Sequence, residues 1–444
     1  MNGIFLALVL SAFAVAAVRQ VGIAGGDAET MARLAKAIIE DSSQAVTLAI
    51  GLVGVMTLFL GLMKVAEAGG LLAIIARLLR PLLVRLFPSV PAEHPAMGAM
   101  ILNIAANVLG LGNAATPFGI RAMQHLDALN PLKGTASNAM VLFLAINTSS
   151  VTLLPTGVIA LRAAAGSADP AGILPTTLFA TICSTMVAIV MAKGCQRVWP
   201  MEPMISSSAA SPALAAPHVA SEELDPAADA DATAQAIALD DSARGFPAWA
   251  SMLALLAVVL LVPATIIWGR AAAPWIIPAI VAGLLTFGAI RRVRVYEAFI
   301  DGARDGFQVA VRIIPYLVAI LVAVGMLRAS GALDLLIRPL GAVTAPIGLP
   351  AEGLLMGLLR ALSGSGAFAY LASVLNDPAI GPDSYTGYLV STIQGSTETT
   401  FYVLAVYFGA VGIRRMRHAV VVGLAADVAG VAASVLICAI LHGG

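Results

Sequence analysis

The chain is predicted to be an all-α polytopic membrane protein, built of two related helical repeats with broken or re-entrant helices and about 10–12 membrane segments. Three observations carry this expectation. Of 444 residues, 59% are hydrophobic and only 11% are charged, against roughly 25% charged in an average soluble domain. Apolar runs close to the ~20 residues that cross a bilayer core recur along most of the chain. Short motifs also repeat in the same order in both halves. Together these exclude an ordinary soluble enzyme, a disordered protein and a nucleic-acid binder.

The segments follow in order. Residues 4–18 are apolar, with no positive charge before them and Arg19 after them. That is the reverse of a secretory signal, so an uncleaved first span with its N-terminus outside is expected. Residues 27–41 are amphipathic and charged, which suits the membrane interface. Residues 45–63 form a clear span. Residues 71–87 carry Arg77, Arg80 and Arg85 and read as an interfacial or re-entrant helix. Residues 97–111, 139–161 and 173–192 complete the first half. The second half has 249–268 and 274–290, parted by a turn around Arg270, then 309–327, 333–347, 353–375, 387–411 and 419–441. Arg291, Arg292, Arg294 and Arg304 form a basic stretch that the positive-inside rule assigns to the cytoplasm, and Arg414, Arg415 and Arg417 form a second basic turn.

The formal net charge of zero hides an asymmetry. Residues 200–246 hold Glu202, Glu222, Glu223, Asp225, Asp229, Asp231, Asp240 and Asp241 against a single Arg244. Rich in Ala, Ser and Pro and without an apolar period, the stretch reads as an acidic flexible linker between membrane repeats at 1–199 and 247–444. The rest of the chain is net basic. Cys183, Cys195 and Cys438 lack metal or disulfide spacing and read as small packing residues.

The repeats show in paired motifs. Arg80-Pro81 matches Arg338-Pro339, and Pro91-Ala92-Glu93 matches Pro350-Ala351-Glu352. Ile146-Asn147-Thr148-Ser149-Ser150 matches Ile393-Gln394-Gly395-Ser396-Thr397. Duplication of this kind recurs in secondary transporters, with the site at the repeat interface. The motifs leave parallel and inverted repeats both open; the basic loops favour a common orientation.

Four polar clusters interrupt the apolar pattern. Asn103 and Asn107, four apart and so on one helical face, precede Gly110, Gly112, Asn113 and Pro117. Asn147, Thr148, Ser149, Ser150 and Thr152 precede Pro155 and Gly157. Arg360 precedes Ser363 and Ser365. Gln394 leads into Ser396, Thr397, Glu398, Thr399 and Thr400. Irregular backbone at membrane depth survives only inside protein or beside a wet cavity. Broken helices there turn free N–H and C=O groups and half-helix dipoles toward a solute. Interhelical hydrogen bonding explains a lone Ser or Thr, but the two dense clusters exceed that need. All sixteen polar residues from Asn103 to Thr400 named here, Arg360 and the glycines and prolines apart, are therefore candidate substrate-binding groups.

Glu398 is the one acid in its segment, and an intramembrane carboxylate is a functional hypothesis by default. It suits cation coordination, proton relay or hydrogen-bond acceptance; the structural alternative is an ion pair with Arg360 or another buried cation. Asp427 in the last span invites the same two readings. Glu398, Asp427 and Arg360 are the candidate ion-coupling or proton-relay set. The chain has no HExxH and no GxxxxGK[ST], so neither a helix-borne zinc site of that kind nor a Walker nucleotide site is expected. Ser363-Gly364-Ser365-Gly366 lacks the leading Gly of a serine-nucleophile loop, and no catalytic residue or cofactor is assigned.

The residues 103–117 and 147–156 resemble spore maturation protein A. Arg360-Ala-Leu-Ser-Gly-Ser-Gly366 and Gln394-Gly-Ser-Thr-Glu-Thr-Thr400 resemble spore maturation protein B. The chain looks like a fusion of the two, within the wider group of nucleoside recognition or Gate domain membrane proteins. The resemblance implies solute handling with the broken helices as gate elements, and it implies no particular substrate. The expected function is a small-solute permease of the bacterial cytoplasmic membrane; the alternative is a non-transporting scaffold in envelope or spore maturation. The expected partners are membrane lipid and an unidentified small-molecule or ion substrate, with no nucleic acid; homo-oligomerisation is open.

Overall fold

The computed structural model describes residues 2–21, 29–110, 112–199, 246–332, 335, 341 and 344–443. Among these, every named element is a helix. The first half contains α1 (Asn2–Gln20), α2 (Thr30–Ala68), α3 (Leu71–Leu86), α4 (Pro95–Leu109), α5 (Gly112–Ala128), α6 (Asn138–Thr148), α7 (Thr156–Ala164) and α8 (Leu174–Val198). The second contains α9 (Ala248–Ile290), α10 (Val295–Ser330), α11 (Ala351–Leu362), α12 (Gly364–Leu375), α13 (Tyr385–Ser396), α14 (Thr400–Gly409) and α15 (Ala419–His442). Among the described residues, four helices, α2, α8, α10 and α15, are long and apolar enough to cross a membrane unaided.

The halves share local devices as well as order. Ser137 caps α6, its hydroxyl accepting the Met140 N–H at 3.2 Å, and Ser384 caps α13 by accepting the Gly387 N–H at 3.0 Å. Left-handed glycines end or turn matching elements: Gly70 with Gly331, Gly134 with Gly381, and Gly166 with Gly412. Each position demands φ near +70°, which only glycine adopts without strain.

Matching helices run antiparallel. Along α2 and α10, Gly61 meets Phe299, Met56 meets Gly306 and Asp41 meets Gly325, so one numbering rises as the other falls. Gly302 and Gly306, one turn apart, lie against the Leu60 and Met56 carbonyls, where a Cβ would come within 2.5 and 2.7 Å of oxygen. Small residues of this kind allow backbones in lipid to approach closely. Likewise α8 and α15 cross at Ser184, whose hydroxyl donates to the Ala426 carbonyl at 2.8 Å, while Trp199 stacks on His418 at their shared end. Equivalent helices pointing in opposite directions define an inverted repeat. The question the motifs leave open is thus answered against the common orientation.

The basic loops misdirect because equivalent turns carry unlike charge. The α14–α15 turn holds Arg414, Arg415 and Arg417, and it docks on the α5–α6 loop, where Arg414 and Arg415 N–H groups both reach the Gly134 carbonyl. Its counterpart, the α7–α8 loop, holds Asp169 and packs on Asp383 at the opposite end of the bundle. Arg291 donates to the Gly69 carbonyl at 2.8 Å, placing the other basic turn at the α2–α3 corner. The basic turns share one face although the repeats are inverted.

Two segments differ from expectation. Residues 249–268 and 274–290 form one continuous helix, α9; Arg270 is followed by three alanines, strong helix formers that force no turn. The charged stretch before residue 45 is the first part of α2 rather than a separate interfacial helix. Residues 353–375 divide into α11 and α12 at Ser363, which leaves the helical region at φ −157°, as its polar cluster predicts. Much of 333–347, and all of 200–245, lie outside the described residues.

Candidate solute site at the helix breaks

In the first half, α4 ends on Gly110, and α6 and α7 are parted by residues 149–155. In the second half, α11 and α12 part at Ser363, and α13 and α14 part at residues 397–399. Gly110 has φ +79°, and a Cβ there would lie 2.5 Å from the Leu154 carbonyl oxygen. Glycine is therefore required where the first break folds back on α4. The Leu153 N–H donates to the Val108 carbonyl at 2.9 Å and fastens that loop. Across the repeats, the Glu398 N–H donates to the Thr148 carbonyl at 2.7 Å. The long breaks of the two halves meet there.

A cavity of about 170 Å³ lies beside this junction. Asn107 and Gly110 from α4, Thr152 and Pro155 from the first long break, and Gly157 from α7 form one wall. Arg360, Phe368, Gln394 and Glu398 form the other. Arg360 is nearly buried; its guanidinium pairs with the Glu398 carboxylate at 3.3 Å and donates to the Thr399 hydroxyl at 3.4 Å. The ion pair offered as the structural alternative for Glu398 is thus present, but it stands in the cavity wall, with the Glu398 side chain 46% exposed. Gln394 is 7% exposed and its carboxamide oxygen has no partner.

Behind the wall lies a polar network. Asn107 donates to the Asn147 side-chain oxygen at 2.9 Å, and Asn147 donates to the Phe143 carbonyl at 2.9 Å. Asn103 donates to the Ala115 carbonyl at 2.8 Å and to the Tyr407 hydroxyl at 3.2 Å. The Tyr407 hydroxyl in turn reaches Asn147 at 3.4 Å. One tyrosine of the second repeat thus ties together two asparagines of the first.

The remaining candidates separate by location. Thr148 and Ser149 hydroxyls donate back to the Ala145 carbonyl, at 3.0 and 2.8 Å, and the Ser150 carbonyl accepts from Thr152. Ser363 caps α12 through the Gly366 N–H, with Ser365 at 3.5 Å. Ser396 donates to the Ile393 carbonyl, and the Thr397 methyl packs on Gly430. Thr400 donates to Asp427 at 2.8 Å, leaving the second Asp427 oxygen buried without a partner. Asn113 opens α5, and its side chain lies outside the described residues. Of the sixteen, Asn107, Thr152, Gln394 and Glu398 line the cavity, joined there by Arg360.

Two residues escaped the sequence reading. Tyr407 sits seven residues after Thr400, on the same face, and that spacing was the available signal. Arg162 directly follows the apolar run 139–161, and it is fully buried. It pairs with Asp383 at 3.1 Å and lies 4.1 Å over the Tyr388 ring, joining α7 to α13. A larger cavity of about 240 Å³, beside Phe87 and Lys193 near the basic face, contains none of the candidates.

Inverted repeats of apolar helices, each broken where polar residues cluster, define a multi-pass helical membrane protein with its polar groups gathered at the repeat interface. The sequence profile of the Gate family, described as nucleoside recognition, matches residues 49–165 and 310–414, which are α2 to α7 and their counterparts from α10 to α14. The chain belongs to this family. It is 47% identical over 167 residues to spore maturation protein B of Bacillus subtilis (strain 168), covering 38% of this chain and 93% of that protein. It is 45% identical over 162 residues to spore maturation protein A of the same organism, covering 36% of this chain and 83% of that protein. The chain combines both kinds of sequence, as a fusion does. No solved structure matches it.

Proposed function

We propose that the chain is a permease for a small polar solute, bound in the cavity between the two membrane repeats, 1–199 and 247–444. One observation carries the reading: polar side chains from both repeats converge on a cavity at the helix breaks, with Asn107 and Thr152 of the first repeat facing Gln394 and a half-exposed Glu398 of the second. Inverted repeats support alternating access, because the two halves exchange roles as one rocks on the other. The gathering of basic turns on one face supports a cytoplasmic membrane with that face inside.

The size of the cavity bears on the cargo. About 170 Å³ only slightly exceeds the ~150 Å³ that admits benzene, which suits a solute of some six to eight heavy atoms. A thermal-shift screen of small solutes on the purified protein tests the reading. Stabilisation by a solute, lost in Glu398→Gln that still elutes as folded protein, supports it; an equal shift in both proteins counts against it.

The names of the two relatives favour a second reading, an assembly factor for spore or envelope maturation. Deleting residues 205–240 separates the two. A scaffold that docks through the linker loses its partner, whereas a permease keeps its ligand.

A further inference from the structure

The geometry points to a zwitterionic solute, a small α-amino acid or a close analogue, as the occupant of this cavity. The inference rests on the permease reading only for the location of the site.

The first argument is charge balance. The wall carries one cation, Arg360, and one anion, Glu398, held 3.3 Å apart. Bringing a net-charged solute beside a neutral pair in a low-dielectric interior leaves one charge uncompensated. A zwitterion adds none.

The second argument is where the uncommitted groups stand. Two polar side chains stand in this wall: Gln394, more than nine-tenths buried, and Glu398, whose half-exposed carboxylate spends one oxygen on Arg360 and is the acceptor open to a solute. An ammonium is a cationic donor that this carboxylate accepts. The opposing wall holds the start of α7. Its N-cap, Pro155, offers no side-chain hydrogen bond, and the Gly157 N–H has no backbone partner while Val158 and Ile159 both turn back to Pro155. The positive end of a helix with a free N–H is a carboxylate site. Gly157 also leaves room, since a Cβ there would meet only Phe368, at 3.6 Å. A half-exposed carboxylate on one wall and a helix N-terminus on the other match the two ends of an amino acid better than a cation, an anion or a neutral amide.

The test uses the full chain in nanodiscs and a matched probe series read by calorimetry: L-alanine, propionate with only the anionic end, ethylamine with only the cationic end, and neutral propionamide. L-Alanine is expected to bind at least tenfold more tightly than each of the other three. Glu398→Gln is expected to weaken L-alanine and ethylamine at least tenfold without weakening propionate, because it removes the anion and leaves Arg360 uncompensated. Propionamide or either single-ended probe binding as tightly as L-alanine overturns the inference, as does no L-alanine binding by the wild-type protein. Counterflow of labelled L-alanine in proteoliposomes separates the two ideas. Tight binding without counterflow leaves the zwitterion site standing and removes the permease, whereas counterflow of another solute without L-alanine binding removes only the zwitterion.

Discussion

The Glu398 N–H donates to the Thr148 carbonyl at 2.7 Å, so the break in the second repeat is hydrogen-bonded to the break in the first. These positions lie 250 residues apart in a chain of 444. The contact puts the sharpest intramembrane acid of one half against the densest polar cluster of the other.

Inversion of the repeats has a direct consequence for topology. Lys133, in the α5–α6 loop, and Ala379, in the matching α12–α13 loop, are both exposed. Single cysteines there, in a background lacking the native three, are expected to react with an impermeant thiol reagent from opposite sides of the membrane. Labelling of both from one side would mean parallel repeats.

Close backbone contact between α2 and α10 makes Gly306 intolerant. A Cβ there would lie 2.7 Å from both the Met56 oxygen and the Thr57 Cα, and backbone cannot yield as a side chain does. Gly306→Val is expected to cost about 3 kcal/mol or more. Gly54 has nothing within 4 Å, so Gly54→Ala is expected to be neutral or stabilising by up to about 1 kcal/mol. Denaturant unfolding in detergent measures both.

Arg162 joins the repeats through Asp383, the Pro382 carbonyl at 2.7 Å and the Tyr388 ring. Arg162→Met strands these partners and is expected to destabilise by about 3–5 kcal/mol. Asp383→Asn leaves the fully buried Arg162 guanidinium without its ion-pair partner and should cost a comparable amount. A much smaller loss in Asp383→Asn would show that the wider set of buried hydrogen bonds, not the charge pair, holds the halves together.

His418 caps α15 on the basic face, where burial first and Arg417 second push its imidazole from an ordinary 6.5 down to about 4. Between those values the unfolded chain binds a proton that the folded chain refuses. Its contribution is therefore complete above pH 6.5 and lost as pH falls toward 4. The melting temperature should drop across that window, and His418→Gln should flatten the slope. An unaltered slope in the variant would assign the effect elsewhere.

Much of this architecture is legible in the residues, for identifiable reasons. Apolar length marks spans because lipid demands it, and duplication survives in short motifs such as 146–150 and 393–397. The positions of the long breaks follow from clustered Asn, Ser, Thr, Gly and Pro. Direction is less legible, because an inverted repeat leaves the motif order unchanged and Arg414 to Arg417 have no basic counterpart near Asp169. Within the site, Asn107, Gln394 and Glu398 stand out as polar residues in apolar runs. Ser363 and Ser396 share that signature yet bond to nearby backbone, since a hydroxyl satisfies itself locally where a longer amide reaches into a cavity. Tyr407 and Arg162 act across the repeats, and such long-range pairing leaves no trace in local pattern.

The central claim, that a solute crosses through the cavity between the breaks, is tested most directly by counterflow in proteoliposomes with a panel of small labelled solutes. Wild-type protein is expected to exchange at least one solute, and Glu398→Gln, reconstituted to the same density and equally folded, is expected to lose at least nine-tenths of that exchange. Exchange at the wild-type rate in the variant, or none of any solute by the wild type, would contradict it.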